Sequence, residues 1–317
     1  MSESPGTTSN VTDELLRPVN RRQFIQLASG VVLAGPMNLA CGSEANGHSS
    51  DTPAPPRDVL FFSDWRAATG NSPEAVADGG KWNIVSRGAN ESMKIIPASG
   101  LDFPSRNVFQ MIATARWEGF GIVRKTGLPI PAPGESRYYR WYMRMMQPDD
   151  IHDFQTHPVQ DGNAASQTNW MFVVHNGATQ NHGSSPIPRG QWQPQFWSGG
   201  SAGNNARWYG PMLPKNQTFR FELQIERTGA DTYRMHVRIY DRANTLIAGD
   251  KDIYNINKAA SLSSNPALTF NNVANMDGLN AGNNGIAGAA PFPFTYAYEG
   301  CFAIRSHDWC GPYTGAF

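Results

Sequence analysis

Cysteine, charge and long apolar runs are all scarce in this 317-residue chain. Three cysteines, Cys41, Cys301 and Cys310, give no Cys/His spacing suited to a metal. The last two are close enough in sequence to form one C-terminal disulfide in an oxidising compartment. Charged residues make up 16% of the chain and cancel, 26 Lys and Arg against 26 Asp and Glu. The net basic stripe of a nucleic-acid binder is therefore missing. No Leu/Ala/Glu/Lys-rich stretch repeats with helical period, which excludes a helical bundle and leaves strands and loops. The apolar run after Phe24 is broken by Gly30, Gly35 and Pro36, too short to persist as a membrane-spanning helix.

Glycine, asparagine and aromatic rings are present instead, with an ordered N-terminal layout. Residues 1–19 are polar, and Asn20-Arg21-Arg22-Gln23-Phe24 then opens a mildly apolar run to Ala40. Paired arginines before a modest apolar stretch resemble a twin-arginine export signal; a Sec signal or a buried helix are the alternatives. Leu39-Ala40-Cys41-Gly42 also resembles a lipobox that would acylate Cys41, although Asn38 stands where that motif carries Leu. Residues 41–57, ending Thr52-Pro53-Ala54-Pro55-Pro56, form a flexible tether with a stiffer end. The expected layout is a signal segment over 1–40, a tether over 41–57 and one domain over 58–317. Such a protein is exported to periplasm, cell surface or medium, meets a membrane only through a lipid on Cys41, and acts as a monomer.

From Asp58 onward, short runs bounded by Gly, Pro or Asn read as strands: 59–62, 82–86, 92–97, 107–115, 119–124, 168–176, 191–197 and 296–306. Phe219–Arg227 and Thr232–Tyr240 read as a hairpin turning at Gly229-Ala230-Asp231. Its register sets Glu222 against Arg238, Gln224 against His236 and Glu226 against Arg234. Segment 251–263 reads as a short helix and 271–291 as a long Asn/Gly/Ala loop. Regular strands, one apolar face each and no βαβ alternation predict an all-β, two-sheet sandwich of jelly-roll type.

The stretch Arg137–Gly162 organises the domain. Its first half alternates with period two, placing Tyr139, Trp141, Met143 and Met145 on a core face. Tyr138, Arg140, Tyr142 and Arg144 fall on the other. Aromatic rings between guanidinium groups suit a polyhydroxylated, anionic ligand, because rings stack on sugar faces and arginine grips carboxylate bidentately. Gln155, Thr156 and His157 follow. His175 closes the strand at 168–176, and Trp208 and Tyr209 sit in a Gly/Asn-rich stretch suited to stacking on sugars.

Taken together, FFSDW, RYYRWYMRM, the FRFELQIER/TYRMHVRIYD hairpin and the closing Gly/Cys/Trp segment resemble the concanavalin A-like lectin/glucanase superfamily, and within it bacterial jelly-roll polysaccharide lyases. The resemblance covers roughly 58–317. It implies glycan binding on a concave sheet and, through Gln155-Thr156-His157, β-elimination of a uronate polymer. That reaction must neutralise a carboxylate, abstract the neighbouring proton and protonate the leaving oxygen. Arg140 and Gln155 are then the neutralisers, His157 the base, and Tyr142 or Tyr138 the acid. Tyr138, Arg144, His175, Trp208 and Tyr209 are the substrate-binding set. Thr156 replaces the family's aliphatic residue, Pro158 follows directly, and the family's Arg-(Thr/Ser)-Glu-Leu-Arg strand is not reproduced.

Two further readings belong to other classes. One is a glycan-binding module without catalysis. The other is a glycoside hydrolase using Glu222 and Glu226, two carboxylates on one strand face; an arginine opposite each favours a charge ladder instead. No cofactor is expected. Where first and last strands meet, Asp64 and Asp308 offer hard oxygen ligands of the kind a structural Ca²⁺ takes, with turn-capping as the alternative role.

Overall fold

The β-prone runs become eighteen strands and one single-turn helix among the residues described by the computed structural model. Those residues are 57–67, 69–86, 92–113, 122–125, 128, 131–146, 153–160, 170–175, 187–198, 206–229, 233–249, 253–255, 279–282, 285–287 and 294–315. In chain order the elements are β1 (Val59–Ser63), α1 (Pro73–Val76), β2 (Ile84–Ser86), β3 (Ser92–Pro97), β4 (Asn107–Ala113), β5 (Ile122–Lys125), β6 (Ser136–Met145), β7 (Asp153–Gln160) and β8 (Trp170–His175). They continue with β9 (Gln191–Ser198), β10 (Ala206–Tyr209), β11 (Leu213–Pro214), β12 (Thr218–Arg227), β13 (Tyr233–Tyr240), β14 (Leu246–Ala248), β15 (Ile253–Asn255), β16 (Leu279–Gly282), β17 (Gly285–Ala287) and β18 (Phe294–Arg305).

Two nine-stranded sheets result. The first runs β14-β13-β12-β6-β18-β4-β3, with β1 on β18 and β15 on β13. The second runs β10-β9-β8-β7-β16-β5-β2, with β11 on β9 and β17 on β7. The fold is the all-β jelly-roll sandwich that the strand pattern predicts, and its central pairs are antiparallel.

Alternation places the core. Trp141 of β6 stacks on Phe221 of β12 with ring centroids 5.3 Å apart. Trp192 of β9, in the second sheet, meets Phe219 at 5.9 Å and Phe221 at 5.8 Å. These rings are buried, as are Tyr139, Met143, Leu223 and Ile225 on the same strand faces. Removing one such large ring costs about 3–5 kcal/mol. A second aromatic group joins Trp65, Trp82, Phe109 and Phe302 beside β1, where Trp65 and Trp82 stack at 5.6 Å.

Three expectations change. Within the expected helix 251–263, Ile253–Asn255 is strand β15, paired with Arg234–His236 of β13. An available strand edge outweighs weak local helix propensity. The expected loop 271–291 contains β16 and β17, which pair with β5 and β7; Gly and Ala fit there because pairing neighbours supply the order. Cys301 and Cys310 are free thiols rather than a disulfide. Cys301 is buried with Phe103, Val108, Tyr142 and Tyr298, whereas Cys310 Sγ lies 3.3 Å from the Tyr138 carbonyl. The export segment, Cys41 and the tether through Pro56 lie outside the described residues.

Candidate active site

The Arg/Tyr face of β6 is closed, contrary to expectation. Residues 306–315 cross it after β18 and fasten to it along their length. Arg140 is fully buried, donating to the Cys301 carbonyl and the Gly311 carbonyl at 3.2 Å each. Tyr142 is buried and its hydroxyl accepts from the Tyr313 amide at 3.0 Å. Tyr138 meets the Trp309 ring edge-on at 5.5 Å and accepts from Gln224 Nε2 at 3.3 Å. Arg144 donates to the Leu101 carbonyl at 2.8 Å. The guanidinium of Arg238 lies 3.9 Å from the centre of the Trp309 ring, a cation–π contact that pins the segment. Arg140 and Tyr142 therefore do not line a groove beside His157: they face away from the core on the first sheet, beneath the closing segment, while β7 belongs to the second.

Glu222 and Glu226 occupy the expected charge ladder. Glu222 is opposite Arg238 on one side and Arg140 on the other, and Glu226 is opposite Arg234. Glu222 is buried with its Oε1 3.4 Å from Arg220 Nε, and it accepts a hydrogen bond from the Gly311 backbone. Burial pushes its carboxyl above the ordinary value, against the pull of Arg220, Arg140 and Arg238. A carboxylate so enclosed has no path to a glycosidic bond. Asp64 is likewise committed. It accepts from Arg66 Nε at 2.9 Å and from the Tyr313 hydroxyl at 2.7 Å. Asp308 is exposed and accepts from the Trp309 amide at 2.7 Å. Asp64 thus faces a guanidinium where calcium would need a second carboxylate, and among the described residues no group of three His, Cys, Asp or Glu could hold a metal.

The second sheet carries the remaining candidates, and its register says how they are arranged. Gln155 of β7 is opposite His175 of β8, which is opposite Gln193 of β9; Gly285 of β17 flanks Gln155 on the other side. One cross-strand row therefore holds Gly285, Gln155, His175 and Gln193. Trp192 points into the core, so this row belongs to the face turned away from the first sheet. Gln193 is buried there and donates to the Gly210 carbonyl at 2.9 Å.

The neighbouring row centres on a bulge. Thr156 pairs with Val174 and Val159 with Phe172, leaving His157 and Pro158 together opposite Val173. Proline lacks the amide a regular ladder needs, which explains why the extra residue falls here. Val173 is opposite Gln195, which is opposite Tyr209. On the far side, Leu279 of β16 pairs with Val159, so Asn280 comes against the bulge, and Asn280 pairs with Arg124 of β5. This second row reads Arg124, Asn280, His157-Pro158, Val173, Gln195, Tyr209.

Of the sequence candidates, the sheet brings together Gln155, His157, His175 and Tyr209. Trp208 is opposite Phe196, in the row of Phe172 and on the core parity, and β10 is a paired strand rather than a loop. Sequence reasoning passed over Arg124, Asn280 and Gln193. The available signal was an arginine inside the short apolar strand Ile122-Val123-Arg124-Lys125, but its neighbours emerge only once β16 is paired.

No family model and no curated protein matches the chain. Among solved structures it is similar to the alginate lyase Aly36B, with 11% identity, 77% of this chain and 96% of that one covered, and a TM-score of 0.45. It is similar to the endo-beta-1,4-glucuronan lyase of the fungus Trichoderma reesei, with 12% identity, coverage of 78% and 95%, and a TM-score of 0.45. It is also similar to the catalytic domain of the glycoside hydrolase family 131 protein of Coprinopsis cinerea, with 14% identity, coverage of 80% and 99%, and a TM-score of 0.46.

Proposed function

We propose that the protein is an exported polysaccharide lyase that cleaves an acidic, uronate-containing chain by β-elimination on the outward face of its second sheet. One observation carries this reading: two adjacent rows of that sheet hold Gln155 opposite His175 and, beside them, the bulge with His157. The register sets two histidines on neighbouring strands with a glutamine beside them, residue types that serve as proton acceptor, proton donor and hydrogen-bond partner in such a reaction.

The reaction needs no water and no redox partner. His157 takes the proton from the carbon next to the uronate carboxylate. The electrons of that C–H bond form the new carbon–carbon double bond, and the bond to the glycosidic oxygen breaks with its electron pair leaving on oxygen. A second group returns a proton to that oxygen. Tyr142 and Tyr138, the acids expected from the sequence, lie on the other sheet beneath the closing segment, so the role passes to His175, on β8, one strand spacing of about 4.8 Å from β7. Tyr209, three spacings away, suits binding along the chain rather than proton transfer. Gln155 suits hydrogen bonding to the substrate's carboxylate, whereas the Gln193 amide is committed to the Gly210 carbonyl.

The test is incubation with polyuronates while following ultraviolet absorbance of the unsaturated ends. His157→Ala should cut the rate about 10²–10⁴-fold, the usual weight of a general base, with thermal stability unchanged. Binding without any unsaturated product from a panel of polyuronates would make this a glycan-binding module instead.

A further inference from the structure

We infer that the closed face of the first sheet is a chloride site, where Arg140 and Arg220 hold one halide-sized anion between them beneath residues 306–315. It does not depend on the glycan reading, which concerns the second sheet. The observation behind it is a pair of buried donors left over after the closing segment has made its bonds. Arg140 Nε and Nη1 donate to the Cys301 and Gly311 carbonyls, and Arg220 Nη1 donates to Asn244 Oδ1 at 2.6 Å. Arg140 Nη2 and Arg220 Nε are enclosed too, and among the described residues neither has a hydrogen-bond acceptor. Both side chains belong to residues more than nine-tenths buried.

Three physical points support the assignment. First, cations outnumber acids. The two cross-strand rows concerned read Arg238, Glu222, Arg140, Ala303 and Tyr240, Arg220, Tyr142, Gly300, with Glu222 their only acid. Its Oε1 stands 3.4 Å from Arg220 Nε, an ion pair without a hydrogen bond, and Arg140 and Arg238 act on the same carboxylate. Asp64, bonded to Tyr313 of the closing segment, is taken by Arg66. A guanidinium cannot shed its proton on burial, so the excess charge calls for an anion, which a water molecule would not supply. Second, the donors are held in place. The Arg220 guanidinium carbon is 3.9 Å from the centre of the Tyr240 ring, and two carbonyls fix the Arg140 guanidinium. Neither can swing out to water. Third, the scale is small. Arg140 and Arg220 are diagonal neighbours on paired strands, about 7–8 Å apart at the backbone, which suits a single-atom anion shared between two N–H groups rather than a sugar acid.

The test is thermal unfolding of the full chain at constant ionic strength, with chloride exchanged for gluconate, an anion too large for the site. Each tenfold rise in chloride above its dissociation constant should raise the melting temperature by about 3–6 °C. Arg220→Gln should remove that dependence. Glu222→Gln, which takes away the carboxylate that repels the anion, should keep the dependence and extend it to lower chloride. Equal dependence in wild type and Arg220→Gln overturns the site, because a general salt effect acts on both. Loss of the dependence in Glu222→Gln overturns it as well, since a carboxylate cannot be what holds the anion. If Arg220→Gln fails to fold, crystals grown in bromide decide. A bromine anomalous peak between Arg140 Nη2 and Arg220 Nε supports the site, and a water molecule in that position overturns it.

Discussion

Arg140→Met separates the closed face from the candidate site. Arg140 makes two hydrogen bonds to carbonyls at 3.2 Å and sits in a row between Glu222 and Ala303, fully buried. Methionine fills much of the stem's volume but leaves the Cys301 and Gly311 carbonyls without this donor. Each charged hydrogen bond is worth about 1.5–3 kcal/mol. Glu222 would also lose one of the cations that oppose its desolvation, and removing one partner of a buried ionic group costs about 3–5 kcal/mol. These terms overlap, so the expected net loss is about 3–5 kcal/mol. At roughly 2–4 °C per kcal/mol for a domain of this size, the melting temperature should fall by about 6–20 °C. Urea unfolding followed by tryptophan fluorescence, together with calorimetry, measures both. Arg140→Met combined with Glu222→Gln should cost less than the sum of the single changes, because the two side chains share one network. A variant that kept its melting temperature within about 2 °C yet lost glycan binding would refute the assignment and return Arg140 to the ligand.

Other predictions are shorter. Hydrogen bonds from Arg66 and Tyr313 outweigh burial and hold the Asp64 carboxyl below its unfolded value of 3.8. Its contribution is complete above that pH and lost as pH falls through the folded value, so Asp64→Asn should erase that part of the acid limb. Glu222 has the opposite sign: its contribution is full below 4.5 and fades as pH rises through the folded value, so Glu222→Gln should flatten that decline. Urea midpoints across this range whose slopes are identical in wild type and both variants would contradict these signs. Burial pushes the thiols of Cys301 and Cys310 up to about 12, so alkylation should be slow in the native chain and complete at both after unfolding without reductant. Peptide mapping that recovered the two joined would restore the disulfide.

Strand identity and local register were legible because they depend on neighbours in sequence. The hairpin β12–β13 turns within a few residues, so pairing Glu222 with Arg238 and Gln224 with His236 followed from alternation alone, and the sheet has that register. Alternation also separated Trp141 from Arg140. It could not say what lies on Arg140. That answer comes from Gly311, 171 residues away, and the same closing segment takes Tyr142, Tyr138 and Asp64 out of contention. The rows of the second sheet were hidden for a related reason. Leu279-Asn280-Ala281-Gly282 has little strand propensity, and it is strand because β5 and β7 border it. Until that pairing exists, Arg124 has no relation to His157.

The two outward faces of the sandwich thus use the same residue types to opposite ends. On the first sheet, the chain itself occupies the arginines and tyrosines: carbonyls on Arg140, an indole on Arg238, an amide on Tyr142 and a carboxylate on Tyr313. A sugar chain binding there would have to replace all of these contacts at once. On the second sheet, the register sets an arginine, two histidines and three glutamines across β5 to β9 with no acidic residue in either row. Enclosure rather than the sign of the charge separates the two faces, because residues 306–315 cover the arginines and tyrosines of the first sheet.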